Sequence, residues 1–269
     1  MSAPFFFGAP GRALFGLLHA REEAIPASKH ALLLCAPLLQ DGIRSHRALW
    51  SLAQAVGQYG IPTLTFDWYG TGNSGGRDVE LSVPGMFDDL DLACAELLRR
   101  GEVESVQFLA LRNAALPLLA ALERRVDPVD VVLWDPQLVG ADVVASWRRQ
   151  HRQQLHESGR YVHATHEPED GELLGFGVHD ALLDALCGLD AARLRLPPGS
   201  RVRMAVWEMD EELDRFAREQ RAGGVSVEAV LLDEGERPEW DVPSRFGGQV
   251  FPRRAVAQLA QRMTAQVPW

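Results

Sequence analysis

Phe108 to Ala115 reads FLALRNAA. It closes the apolar run SVQFLAL from Ser105 and opens a segment whose Leu118, Leu119 and Leu122 have helical spacing, which predicts a strand, a turn and a helix. A catalytic serine in such a turn is written GxSxG, with the side chain lifted above the sheet edge. Set against that pattern, Ala110 and Ala114 stand for the glycines and Arg112 for the nucleophile. A guanidinium is permanently protonated and cannot attack a carbonyl, so ester or amide chemistry at this turn needs another group to supply it.

Outward from this turn the chain alternates. ALLLCAP from Ala31, PTLTFD from Pro62, VVLW from Val131, VRMAVW from Val202 and VEAVLL from Val227 are nearly continuous apolar runs, as in parallel strands buried on both faces. Between them, Leu49, Leu52, Ala53 and Val56 have helical spacing, as do Phe87, Leu90, Cys94, Leu97 and Leu98. The spacing recurs in Leu213, Phe216 and Ala217, and in Val256, Leu259, Ala260 and Met263 behind Pro252. Strands and helices in this order predict a doubly wound, mostly parallel sheet. Phe5 to Phe7 and Ala13 to Ala20, parted by Gly8, Pro10 and Gly11, predict an antiparallel pair ahead of it.

At 269 residues the chain suits one α/β domain, 1–269. Its formal charge of -10 argues against nucleic acid as a partner. Cys35, Cys94 and Cys187 lie in apolar contexts without metal-ligand spacing and read as buried, reduced thiols. The N-terminal stretch lacks a basic leader, and no apolar run reaches the roughly 20 residues of a membrane span. A cytoplasmic protein without a transmembrane segment is expected. Residues 139–196 are too long for a simple crossover and predict a helical lid inserted over the strand ends. Arg148, Arg149, His151, Arg152, His156 and Arg160 give that insertion a basic stretch, readable as a solvated helix face or as an anion-binding lid.

FDWYGTGNSGG, Phe66 to Gly76, resembles the DxxGxGxSxG segment that follows a central strand in α/β-hydrolases. In it Ser74 reads as a turn residue, since no base accompanies it. With CAPLLQDGIRSHRALWSLAQ from Cys35, VVLWDPQLVG from Val131 and GELLGFGVHDALLDAL from Gly171, the chain resembles the exosortase A system-associated hydrolases of the type called hydrolase 2. The resemblance covers most of the chain. It implies the α/β-hydrolase fold and a setting in bacterial exopolysaccharide synthesis and export. It also makes Arg112 a family feature, because the turn in that group often carries Arg in place of Ser.

A triad acid would follow the strand ending at Trp207, where Asp210 stands; Asp135, after the preceding strand, is the alternative. The histidine would follow the strand ending near Leu232, but all eight histidines occur at or before His179. Ser45 and His46 lie near the loop that would supply an oxyanion amide, and read as a helix cap followed by an exposed histidine. Arg112 could grip a small or lipid-linked anion above the free amides of its helix, or pair internally with Asp135 or Asp210. Leu39, Gln40, Ser45, His46, Arg112, Asn113, Asp135, Asp210 and Trp240 are the ligand-binding candidates. Trp134, Trp207 and Trp68 read as core or pocket wall. His151, His156, His163 and His166 show no metal-site spacing, so neither metal nor cofactor is expected. Three functions fit: a non-catalytic accessory or ligand-binding protein; a hydrolase or acyl transferase built on Ser45, His46, Asp135 and Asp210; and a scaffold for another protein of the pathway.

Overall fold

The computed structural model describes residues 2–19, 28–157, 171–242 and 250–264. Arg160, His163 and His166, named above in the basic stretch and among the histidines, lie outside them, as does Ala20.

Strands β1 (Ser2–Ala9) and β2 (Arg12–His19) form the expected antiparallel pair. Next come β3 (His30–Cys35), α1 (Leu39–Gly57), β4 (Thr63–Phe66), α2 (Val83–Gly101), β5 (Ser105–Leu111), α3 (Ala115–Leu122) and β6 (Asp130–Trp134). After β6 lie α4 (Gly140–Glu157), a hairpin of β7 (Glu172–Leu173) and β8 (Phe176–Gly177), and α5 (Asp180–Cys187). The chain then returns to the sheet through β9 (Arg201–Val206), α6 (Glu211–Ala222), β10 (Ser226–Leu231) and α7 (Arg253–Thr264).

The eight-stranded sheet has the order β1-β2-β4-β3-β5-β6-β9-β10. β2 is antiparallel to β4, and every pairing from β4 to β10 is parallel. Because strand side chains alternate, Leu32, Leu34, Leu109, Leu111, Val132 and Trp134 pack with α1 and α7 on one face. Leu33, Cys35, Phe108, Ala110, Leu133 and Met204 pack with the opposite layer of helices. Trp134, Trp207 and Trp240 belong to the first of these cores.

Several details differ from the sequence expectation. VEAVLL forms β10 at the sheet edge, not a strand buried on both faces, and Leu231 is 60% exposed there. Ser45 is no helix cap: α1 starts six residues earlier, and the Ser45 hydroxyl is buried within it and donates to Gly42 O over 3.5 Å. His151 is not on a solvated face but buried, with Nδ1 accepting from Leu174 N at 3.0 Å. Cys35 is buried, but Cys94 is half-buried and Cys187 exposed, all with free thiols.

The segment after β4 turns sharply. Ser74 Oγ donates to Asp67 O at 2.5 Å and accepts from Phe15 N at 2.9 Å, which fastens the turn to β2. A Cβ on Gly72, at φ +53, would lie 2.3 Å from Asp67 Oδ2, so any other residue would strain the backbone and displace the Asp67 carboxylate.

Candidate active site and its arginine

Parallel register carries the site. Leu111 pairs with Trp134, so the residues that leave β5 and β6, Arg112 and Asp135, emerge side by side at the carboxyl edge of the sheet. Both hold left-handed backbone, at φ 51 and φ 45, and Leu39 at the start of α1 does the same at φ 53. Non-glycine residues pay about 1–2 kcal/mol for that conformation, so three of them at the ends of the neighbouring strands β3, β5 and β6 mark stored strain. The sharp turn therefore forms even though alanines replace both glycines.

The Arg112 side chain is buried among carboxylates. Its Nε donates to Asp41 Oδ2 at 2.9 Å, one terminal nitrogen to Asp135 Oδ2 at 3.0 Å, and the other to Asp241 Oδ1 at 2.5 Å. Asp41 is brought in by the first turn of α1, where helix amides favour a carboxylate. Asn113 completes the network: its Nδ2 donates to Asp41 Oδ2 at 3.0 Å and its Oδ1 accepts from Leu38 N at 2.8 Å. Burial disfavours the guanidinium's charge, but Asp41, Asp241 and Asp135 outweigh it and hold Arg112 above the ordinary arginine range. Burial also pushes the Asp41 carboxyl up, and Arg112 opposes this. A second guanidinium, that of Arg44, also acts on Asp41 and Asp241, so the carboxylates face two permanent cations.

The other candidates fall in different places. Asp210 caps α6, its Oδ1 accepting from Leu213 N at 2.8 Å, and makes no bond to Arg112. Trp240 is buried, and its carbonyl accepts from Arg44. Asp135, Asp241, Glu234 and Glu239 lie with Arg112 and Arg237 around a cleft of about 630 Å³. Leu39 and exposed His46 line a separate, largely apolar pocket that Arg112 does not reach. Gln40 Nε2 donates to Leu174 O at 2.8 Å and so ties α1 to the β7–β8 hairpin. Ser45 and His46 are not brought together with Asp135 or Asp210 as a nucleophile, base and acid: Ser45 is enclosed in α1 and bonded to its own helix. Among the described residues, no group of three His, Cys, Asp or Glu is placed to hold a metal ion.

Sequence reasoning missed Asp41 and Asp241. The second stands in the loop after β10, where the order of triad residues puts a histidine. A search of that loop for any ionisable group, not histidine alone, would have found it.

No protein-family model and no curated protein matches the chain. Solved structures do. A Butyrivibrio proteoclasticus esterase, Est1E, in a structure with ferulic acid bound, superposes with a TM-score of 0.61 at 10% identity, covering 97% of this chain and 96% of its own. The chain has the α/β-hydrolase fold. An esterase domain from a Rhodothermus marinus protein gives a TM-score of 0.55 at 15% identity over 98% and 96% of the two chains. An alpha-beta serine hydrolase homologue from Coxiella burnetii gives 0.54 at 14% over 97% and 95%. No helix among the described residues is long and apolar enough to cross a membrane.

Proposed function

We propose that this α/β-hydrolase-fold protein is non-catalytic and serves as an accessory or ligand-binding component of bacterial exopolysaccharide synthesis and export. The observation that carries the loss of catalysis is the state of position 112. The side chain in the nucleophile's place is a cation whose Nε and both terminal nitrogens each donate to a different carboxylate, from α1, from the end of β6 and from the loop after β10. Such a group neither attacks a carbonyl nor takes a proton from one that does.

The same bonds favour one of the two roles open to Arg112. An anion approaching the guanidinium through the cleft meets Asp135 and Asp241, and the cleft adds Glu234 and Glu239 against Arg237. Arg112 is an internal charge lock that fixes three loops to one another, and not an anion anchor. Residues 139–196 serve as the lid of this fold. The exopolysaccharide setting is supported by the four sequence stretches that resemble hydrolase 2.

The test uses the purified full chain. It should neither turn over short p-nitrophenyl esters nor be labelled by a fluorophosphonate, and inorganic phosphate should leave its melting temperature unchanged. Serine labelling would overturn the non-catalytic reading; stabilisation by phosphate that disappears in Arg112→Lys would overturn the charge lock.

A further inference from the structure

The second pocket, of about 510 Å³, lies between the start of α1, the glycine turn after β4 and the β7–β8 hairpin. That volume is within the range of small-molecule sites. Its interior is apolar, with Leu39, Trp68, Leu81, Val178 and Leu182 all buried. Ile43 lines its mouth and is 52% exposed. An apolar space of this size leaves its lining atoms without the dispersion contacts that a packed core would give them.

The roof is fastened. Leu174, buried and at φ 59, turns the hairpin; its N–H donates to His151 Nδ1 of α4 and its carbonyl accepts from Gln40 of α1. Gly177 N donates to Asp78 Oδ2 across the pocket's edge at 2.5 Å. A strained, buried turn pinned to α1, α4 and the segment before α2 holds the cavity open instead of letting it collapse.

Charge sets the kind of ligand. Asp67 and Asp78 are the carboxylates that line the pocket, and no lysine or arginine does so among the described residues. Both carboxylates are held by backbone amides: Asp67 Oδ2 accepts from Asn73 N at 2.8 Å, and Asp78 Oδ1 from Val79 N at 3.0 Å. Two acidic side chains with no lysine or arginine beside them among the described lining residues repel a phosphate or carboxylate head.

We propose that this pocket binds an uncharged aliphatic chain, such as that of a fatty alcohol or ester, inserted past Ile43 with its polar end near His46. It shares no lining residue with the Arg112 clefts, so the inference stands whether or not chemistry occurs at position 112.

The experiment is a titration of the full chain with N-phenyl-1-naphthylamine, a neutral fluorescent probe, followed by competition with decanol and decanoate. Saturable enhancement is expected, with decanol displacing the probe at least about tenfold more effectively than decanoate, a difference of ~1.4 kcal/mol. Val178→Trp, which fills the cavity, should weaken probe binding at least about tenfold. Ile43→Glu changes an exposed side chain and so keeps the test open should the tryptophan variant fail to fold; it should also weaken binding, with an unchanged melting temperature. Absence of saturable binding by the wild type, or Ile43→Glu binding like wild type, would overturn the site. Equal displacement by decanoate would overturn the preference for an uncharged ligand.

Discussion

The guanidinium of Arg112 donates to Asp241 at 2.5 Å, joining the turn after β5 to the loop after β10. In a serine hydrolase of this fold those two places hold the nucleophile and the histidine, whose coupling is a proton transfer. Here the coupling is a fixed charge pair. With Asp41 and Asp135 it ties α1, β5, β6 and the C-terminal loop into one electrostatic unit at the sheet edge.

Removing the cation should therefore destabilise the fold. Arg112→Ala takes the hydrogen-bonded charge partner from Asp41, which is 1% exposed and keeps the Asn113 amide as a neutral donor, and breaking a buried pair from one side costs about 3–5 kcal/mol. Arg112→Lys keeps the charge but cannot present donors in three directions from a rigid plane, so it should recover less than half of the loss. Urea unfolding of the three proteins measures this; Arg112→Ala within 1 kcal/mol of wild type would mean that the carboxylates do not depend on the arginine.

Arg112→Ser should not create an esterase. A serine there would sit among Asp41, Asp135 and Asp241, with no histidine anywhere after His179 in the chain to act as its base. Turnover of p-nitrophenyl acetate by Arg112→Ser above the rate of wild type would show that a base reaches position 112 by a route the geometry does not contain.

Position 112 and its neighbour Asp135 were legible in the sequence because both sit at the ends of apolar runs whose direction and order fix where they emerge. Asp41 was not, because a carboxylate in the first turn of a helix is usually solvated, and only tertiary packing buries it. VEAVLL read as a central strand because an apolar run reports hydrophobicity, not the number of neighbours a strand has. The β7–β8 hairpin pairs two residues with two, too few for alternation to show, yet it roofs the apolar pocket. His46 was singled out for its nearness to an oxyanion loop and lines that pocket instead, together with Leu39, another of the ligand-binding candidates.

Stability should fall with acid through His19. Burial lowers its pKa from 6.5 to about 4, and Gln54 Nε2 lies 2.9 Å from its Nδ1 as donor to a neutral ring. The unfolded chain takes up a proton that the folded chain refuses, so the contribution is complete above pH 6.5 and is lost as pH falls towards 4. The full span is worth on the order of 3 kcal/mol. Urea midpoints at pH 7 and pH 4.5 should differ less in His19→Gln than in wild type; parallel losses would assign the acid sensitivity to other groups.

The docking of α4 on α5 offers a sharper steric test. Gly140 opens α4 with its N–H donating to Leu189 O at 2.8 Å, and a Cβ placed on it would lie 1.7 Å from Leu186 O. That neighbour is backbone at the end of α5 and cannot rotate away, so Gly140→Ala must push the two helices apart at a cost of about 3 kcal/mol. Gly188, at the other side of the same junction, meets nothing closer than 3.5 Å, and Gly188→Ala should stay within about 0.5 kcal/mol of wild type. Because α5 carries Leu182 into the pocket wall, Gly140→Ala should also weaken probe binding while Gly188→Ala leaves it alone. Equal, small effects of the two substitutions on unfolding would show that the helices are not in close contact at Gly140.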